Sequence, residues 1–453
     1  MAKYQKYAEY QDSGVEWLEQ VPKNWEIIKI KHLSSVKRGA SPRPIDDPKY
    51  FDDNGEYAWV RIADVSASDT YLLNTTQTMS DLGSSLSVKL EPNELFLSIA
   101  GTVGKPCINK IKACIHDGFV YFPDLKIPNK FLFYVFAGEQ AYKGLGKMGT
   151  QLNLNTDTVG DIKVALPKSI EDIQNIINFL DHETAQIDTL IAKQEKLIEL
   201  LKEKRQAVIS HAVTKGLNPD VAMKDSGVEW LGKVPEHWVV AQLKFNMLDI
   251  QTGPFGSQLH AEDYIEDGIP LINPAHMING VLVPDTQITV DQVTQERLSR
   301  HKLAVGDIIF ARRGELGRCA IVRDENVGWL CGTGSLKAKL NDNLIPEYAY
   351  LLITSDGLVA ELSLESKGST MDNLNTETLG KVRTPVPPIE EQTAILNYVE
   401  QASGKYKKLI ENAESAIQLM QERRTALISS AVTGKIDVRN WQHPNEAKTG
   451  LSL

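Results

Sequence analysis

The chain carries one fourteen-residue stretch twice. "DSGVEWLEQVPKNW" (12–25) returns as "DSGVEWLGKVPEHW" (225–238), with ten of the fourteen letters identical and both Trp positions and the Pro in register. Three further blocks recur in the same order. "LNTDTVGDIKVALP" (154–167) returns as "LNTETLGKVRTPVP" (374–387), a segment opening "INFLDHETAQID" at 177 has its counterpart in "LNYVEQASGKYK" at 396, and "KRQAVISHAVT" (204–214) becomes "RRTALISSAVT" (423–433). Between the first two blocks the copies barely align, apart from "LFLSIAGTVGKPCI" (95–108) and "IIFARRGELGRCAI" (308–321), each a strand-like run ending in G-x-x-G. A period near 215 residues is far too long for a solenoid. The chain must fold as two versions of one unit, a shared frame around a divergent middle.

Periodicity divides each copy into two kinds of structure. Residues 171–213 hold no Gly or Pro and are rich in Ile, Leu, Lys, Glu and Gln. Ile187, Leu190, Gln194, Leu197, Leu201, Lys204 and Val208 alternate spacings of three and four, which predicts a heptad seam. The second copy offers Tyr406, Leu409, Ala413, Ala416, Met420, Arg423 and Leu427 at the same places. Two such helices in one chain most simply pair with each other, and Gln194 and Lys204 would then specify register. The alternative is two separate core helices, each packed on its own domain. The middles, 26–165 and 239–385, hold short β-rich runs such as "EYAWVRI", "ELFLSIA", "GFVYFP", "GVLVP", "DIIFARR" and "RCAIV" among Gly, Pro, Asn and Asp turns. Helical pieces near 130–143 and 346–362 make these α+β domains.

Composition excludes several classes. The 453 residues are too many for one ordinary core, and 42% apolar with 24% charged residues is a globular balance. No run of about 18 uncharged apolar residues exists to span a membrane, and "MAKYQKYAEY" lacks a signal-peptide core. A cytoplasmic protein is expected. Cys107, Cys114, Cys319 and Cys331 form no C-x2-C pair and have no His at zinc-ligand spacing, so they read as buried thiols. The formal net charge of −10 counts against a nucleic-acid footprint, but it averages over faces and leaves room for local basic grooves.

Catalytic signatures are missing. "GTVGKP" (101–106) imitates the tail of a phosphate loop, yet Ile99 stands where the first Gly belongs and Pro106 where the Ser/Thr belongs. It reads instead as a tight turn between strands, repeated as "GELG" (314–317). "NPAHM" (273–277) begins like an amino-methyltransferase motif but lacks its second Pro and its aromatic. There is no G-x-S-x-G elbow and no H-E-x-x-H pair. The nine His are scattered, and His32, His211 and His301 read as surface or core residues.

The "DSGVEWLG-VP-HW" opening, the G-x-x-G turn, "VPPIEEQTAILNYV" (386–399) and "RRTALISSAVTGKIDVR" (423–439) resemble type I restriction–modification specificity subunits over about residues 10–440. The first copy departs at "LPKSIEDIQNIINFL" (166–180). The resemblance implies two α/β target recognition domains joined by two long helices in an antiparallel coiled coil, arranged circularly with a pseudo-twofold relation. The expected divisions are 1–170 and 216–388 for recognition, 171–215 and 389–436 for the helices, and 437–453 for a polar tail. Each recognition domain would read one half of a bipartite, asymmetric double-stranded DNA target, and the helices would set the spacer. Two modification subunits and two restriction subunits are the implied partners. S-adenosylmethionine, ATP and magnesium would belong to those partners, with no cofactor in this non-catalytic chain. A coiled-coil assembly scaffold with little DNA affinity is the competing function.

Base edges in the major groove select Arg for guanine, Asn or Gln for adenine and carboxylates for cytosine. The early loop "SVKRGASPRP" (35–44) offers Lys37, Arg38 and Arg43, Arg61 follows "YAWV", and the late loop "GKMGTQLN" (146–153) holds Lys147, Thr150, Gln151 and Asn153. In the second copy "QTGPFGSQLH" (251–260) provides Ser257, Gln258 and His260, and Asn273 and His276 fall where Arg61 and Asp64 stand in the first. "FARRGELG" adds Arg312 and Arg313, and "ESKGSTMDN" (365–373) adds Lys367, Ser369 and Thr370. A solvated loop residue or a turn hydrogen bond is the competing role for each. Trp17, Trp25, Trp230 and Trp238 sit in the shared frame, where packing or partner docking is expected, because residues that read sequence should differ between halves. If each frame fastens a recognition domain to a helix end, residues near 10–25 must lie against 430–440.

Overall fold

A computed structural model describes residues 4–143, 145, 154–366 and 374–444. The chain forms two compact units. The first takes Met1–Glu195 and Ser415–Leu453, the second Lys196–Glu414. The first unit therefore contains both ends of the chain.

The repeated fourteen-residue stretch is a small hairpin in both copies. Tyr10–Asp12 pairs antiparallel with Gln20–Pro22, and Met223–Asp225 pairs in the same way with Lys233–Pro235. Its Asp-Ser-Gly turn bonds identically each time. The Asp12 carboxylate accepts the Gly14 N–H at 2.9 Å and that of Asp225 accepts from Gly227 at 2.8 Å. The Ser13 and Ser226 hydroxyls each accept the N–H two residues on at 3.1 Å. Short Asp and Ser side chains that bond their own backbone are what such a turn needs.

The two long helices run Ile170–Lys215 and Ile389–Val432. Each ends on a left-handed glycine laid against the second Trp of the repeated stretch. The first helix closes with Gly216 (φ +76), whose N–H reaches the Ala212 carbonyl, and a Cβ there would stand 3.1 Å from Trp238. The second closes with Gly434 (φ +69), where the Gly434 and Lys435 N–H groups return to Ala431 and Ser430 in a Schellman cap. A Cβ on Gly434 would collide with Pro22 and lie 3.2 Å from Trp25. Around it the Tyr10 hydroxyl donates to the Gly434 carbonyl at 3.0 Å, Lys435 pairs with Glu19 at 2.6 Å and Asp437 N–H bonds the Gln5 carbonyl at 2.8 Å. The start and end of the chain meet in the first unit, as the duplication required.

Each unit has its own core. Trp17, Trp25, Ile173, Ile176, Phe179, Ile428 and Ala431 share the first. Ala212, Val213, Trp238, Tyr348, Ile395 and Val399 share the second, with Trp230 packed against it. The tryptophans are packing residues. In the first unit the start of one long helix lies beside the end of the other, with Asp188 paired to Arg424 at 2.7 Å and the Asn175 amide bonded to the Arg439 carbonyl, so the two run antiparallel. The seam differs from the expected one at alternate levels. Leu190 (50% exposed), Leu197, Lys204 and Leu409 face solvent, whereas Ile191, Ile198, Arg205 and Ile410 (9%) turn inward. Adjacent apolar pairs such as Leu190–Ile191 satisfy a step of three or of four equally well, and packing selects the second member.

Helix entry differs between the copies. In the second, the side chain of Gln392 is fully buried and bonds Ile345 N–H and the carbonyls of Asn343 and Pro387. Ile173 occupies the corresponding place in the first copy as a plain core residue.

The divergent middles share a strand order. The first unit has an antiparallel run Lys37–Arg38, Phe119–Tyr121, Leu95–Ser98, Pro106–Asn109, extended by Tyr71–Leu72. The second has Met247–Thr252, Ser335–Leu340, Ile308–Ala311, Cys319–Ile321 in the same order. A second sheet in each contains one parallel pair, Tyr57–Val60 with Ala113–Ile115 and Ile269–Ile272 with Leu330–Cys331. The G-x-x-G segments are hairpin turns, with Gly101, Gly104, Gly314 and Gly317 all at positive φ. The four thiols are buried, and burial pushes Cys107, Cys114 and Cys331 up to about 12.

Gly434→Ala should destabilise the first unit by about 2–4 kcal/mol, from a left-handed non-glycine residue plus overpacking on Pro22. Gly14→Ala, at φ +61 but in open space, should lose only the conformational part, about 1–2 kcal/mol. Denaturant midpoints test the difference, and equal losses would mean that the clamp contributes nothing.

Candidate nucleic-acid interface

In each unit one short turn gathers the divergent loops. In the first unit it is 116–118. Gly39 N–H bonds the Phe119 carbonyl at 2.9 Å and Ala40 N–H the Ile115 carbonyl at 3.1 Å, and a Cβ on Gly39 would strike the His116 carbonyl oxygen. In the second unit it is 332–334. Gly253 N–H bonds the Ser335 carbonyl at 2.9 Å, and a Cβ on Gly253 would strike the Gly332 carbonyl oxygen. The strand before each G-x-x-G turn is tied to the same place, since Ile99 N–H bonds the Gly118 carbonyl at 2.8 Å and Arg312 N–H the Gly334 carbonyl at 3.0 Å. The early loop therefore lies flat on the turn because glycine alone permits that approach.

The early loop of the first unit is cationic. Lys37 and Arg38 are exposed on an edge strand. Arg38 Nε donates to the Asp117 carbonyl at 2.6 Å, and Arg43 Nη2 reaches the Asp117 carboxylate at 3.1 Å with its side chain 82% exposed. Asp117 thus orients two guanidinium groups on one solvent face. Beside them a cleft of about 680 Å³ is lined by Ser41, Trp59, Arg61, Gln77, His116 and Asp117 among others. Arg61 is held by Asp64 at 3.3 Å and by the Thr76 hydroxyl. His116 accepts the Gly118 N–H on Nδ1 at 2.8 Å, and burial lowers its pKa against the opposing pull of Asp117. The ring is thus a neutral part of the turn rather than a cation.

The corresponding surface of the second unit is polar and aromatic. Ser257, Gln258 and His260 are exposed on the loop after Met247–Thr252, with Phe255 beside them. Arg297 holds this loop, donating to the Gln258 carbonyl at 2.6 Å and pairing with Asp263 at 2.6 Å. The Asp263 carboxyl is kept below its usual range by the His260 N–H and then by Arg297. Asn273 occupies the place of Arg61, and its Oδ1 accepts the Gly334 N–H at 3.1 Å.

His276 needs a correction. It is 6% exposed, and its Nδ1 accepts the Asn273 N–H at 3.2 Å, as Asp64 accepts the Arg61 N–H at 2.9 Å. Both residues close a one-turn cap, and His276 faces the turn rather than solvent. Arg312 is half-buried, its carbonyl accepts the Leu374 N–H at 2.8 Å and its side-chain Nε donates to the Leu374 carbonyl at 3.4 Å, so its guanidinium is engaged in holding Leu374. Arg313 is exposed at the hairpin tip and makes no ion pair among the described residues. Lys147, Thr150, Gln151, Asn153, Lys367, Ser369 and Thr370 lie outside the described residues.

Sequence reasoning missed Gln77, Asp117, Phe255 and Arg297. The two glycine-bearing turns "HDGF" (116–119) and "GTGS" (332–335), in matching places, were the available signal. Among the described residues no cluster of three or more His, Cys, Asp or Glu side chains could hold a metal ion, and no helix is long and apolar enough to cross a membrane.

Residues 22–200 and 235–418 each match the family described as type I restriction modification DNA specificity domain. The chain is 23% identical to the type I restriction enzyme MjaVIII specificity subunit of Methanocaldococcus jannaschii, covering 93% of this chain and 95% of that one. It is 25% identical to the EcoBI specificity subunit of Escherichia coli over 65% of this chain and 63% of the relative. The HsdS subunit from Thermoanaerobacter tengcongensis shares the fold at a TM-score of 0.52 and 15% identity, covering 94% of this chain and all of that one (100%). A chain from a solved type I R-M system overlays at a TM-score of 0.63 and 15% identity, over 91% of this chain and 98% of that one.

Gly39→Ala and Gly253→Ala should each lift the early loop off its turn. The Gly39 and Gly253 amides, now bonded to Phe119 and Ser335, should then exchange hydrogen much faster while the distant core stays protected. Unchanged protection would show that the close approach does not hold the loops.

Proposed function

Because the chain belongs to the type I restriction modification DNA specificity family, we propose that it is the subunit that chooses the DNA target of such a complex. Each unit reads one half of a bipartite, asymmetric sequence, and the two long helices set the spacer between the halves. One observation carries the reading: the same strand order and the same glycine-bearing turn present a cationic loop in one unit and a polar, aromatic loop in the other. Two different readers on one frame are what two unlike half-sites require.

The candidate contacts follow from side-chain chemistry. Lys37, Arg38 and Arg43 suit phosphates or guanine, Gln77, Gln258 and Asn273 carry the amide that suits adenine, and Arg61 and Arg313 add further guanidinium groups. Ser257 and His260 flank the second loop. The acidic net charge is compatible with binding when methyltransferase subunits complete the DNA channel.

The chain itself supplies specificity and no covalent chemistry. Two modification subunits using S-adenosylmethionine, and two restriction subunits using ATP and magnesium, are its proposed partners. Its place of work is the cytoplasm, where the host DNA lies. An assembly scaffold without sequence preference accounts less well for loops that diverge on a shared frame.

Exchanging residues 26–165 for the corresponding domain of a relative should change one half of the methylated sequence and leave the other half and the spacer intact. Methylome mapping of the reconstituted complex reads the outcome, and methylation without sequence preference would overturn the reading. Inserting seven residues into both helices, near 194 and 413, should lengthen the spacer by about three base pairs or abolish recognition, at about 1.5 Å per helical residue and 3.4 Å per base pair. An unchanged target and spacer would remove the helices from that role. Replacing Lys37, Arg38 and Arg43 together by Ala should flatten the salt dependence of binding by about 0.9 in log–log slope for each phosphate that is no longer neutralised.

A further inference from the structure

The loop after Met247–Thr252 holds an aromatic ring up into solvent on a tightly built base. Phe255 is 60% exposed. Beneath it Gly253 and Pro254 are buried, and Gly253 is sealed against the Gly332 carbonyl. Beyond it Gly256, at φ +60, turns the chain back. The Phe255 N–H donates to Gln258 Oε1 at 3.4 Å, and the Gln258 carbonyl is held by Arg297, itself paired with Asp263. The backbone is thus fixed on both sides of a ring that stays largely in water. A loop free to collapse would bury it, since full burial of such a side chain stabilises by about 1.5–3 kcal/mol.

The position has a counterpart in the first unit. Gly39 corresponds to Gly253, so Phe255 falls where Ser41 stands in "GASPRP", two residues before Arg43. One unit offers a hydroxyl and a guanidinium there, the other a ring. Phe245 is more exposed still, at 66%, but the Lys244 ammonium sits over its ring at 5.2 Å, and it lies off the reading loop. A ring presented to a DNA groove finds one apolar group on the base edges, the 5-methyl of thymine.

We propose that Phe255 is a specificity-determining residue that recognises thymine through its 5-methyl group, in the major groove of the half-site bound by the second unit. This rests on the reading of the chain as a DNA specificity subunit. Gln258, whose carboxamide sits at the Phe255 N–H, and exposed Ser257 supply polar contacts beside the ring.

The test is a cycle that changes protein and base together. The complete complex of this chain with its modification subunits is titrated with its mapped target duplex, in which deoxyuridine replaces each thymine in turn. Wild-type complex should bind about fourfold more weakly at one thymine of one half-site, the effect of losing one buried methyl. F255A should bind the unmodified target about tenfold more weakly and show no further loss at that position. F255L should keep most of the response, and both variants should melt with the wild-type protein. If F255A responds to every uracil as wild-type does, or binds the target equally well, the proposal fails while the specificity reading stands. A loss in F255A with no uracil effect in wild-type also overturns it, and points to a wedge between base pairs. Wild-type complex that fails to prefer its target over scrambled duplex would instead strike at the specificity reading itself.

Discussion

The fold depends on how a long helix stops. A helix of more than forty residues must leave its last carbonyls satisfied and hand the chain to a β-rich domain without a flexible joint. Both helices do this with a left-handed glycine whose missing side chain leaves room for an indole, Gly216 under Trp238 and Gly434 under Trp25. The small hairpin that leads into the indole is the same each time, down to its Asp-Ser-Gly turn. The repeated stretch is thus a socket for a helix end rather than a reading element. Because the second helix ends in the socket at the start of the chain, both ends of the chain lie in one unit.

A second constraint sits at one short turn in each unit. Turns 116–118 and 332–334 each carry an early loop and the strand before a G-x-x-G hairpin, through bonds of about the same length in both copies, and 332–334 also holds the cap after a parallel strand through Asn273. The frame is conserved between halves at the level of backbone hydrogen bonds, while the side chains above it are free to change. That separation lets one scaffold hold Arg43 beside Asp117 in one half and, in the other, present Phe255 on a loop whose Gly253 is seated on Gly332, without refolding.

Much of this was legible in the chain. Internal repetition exposed the duplication, the helices and the G-x-x-G turns, because these rest on local rules: absence of Gly and Pro, heptad spacing, and glycine where φ is positive. The contact of residues 10–25 with 430–440 followed from the circular order of the blocks. The seam was read one residue off at alternate levels, since Leu190–Ile191 and Leu409–Ile410 offer two apolar neighbours and only packing decides between them. The exposed cations Lys37, Arg38 and Arg43 were visible as a loop composition, whereas Asp117, the residue that orients Arg38 and Arg43, is distant in sequence and was not. His276 was misjudged because its capping role depends on a turn geometry that residue type does not announce.

By itself the sequence determined that there are two copies of one frame, where each helix and hairpin turn lies, and that no familiar catalytic motif is written in either half. Those features are local or repetitive, so spacing alone reveals them. Tertiary structure decided which cations share a face, which polar residues are consumed by caps and turns, and which ring is left in water. Those outcomes depend on contacts between residues tens to hundreds of positions apart, such as Gly39 with His116, Arg297 with Gln258 and Tyr10 with Gly434, and only close packing brings such partners together.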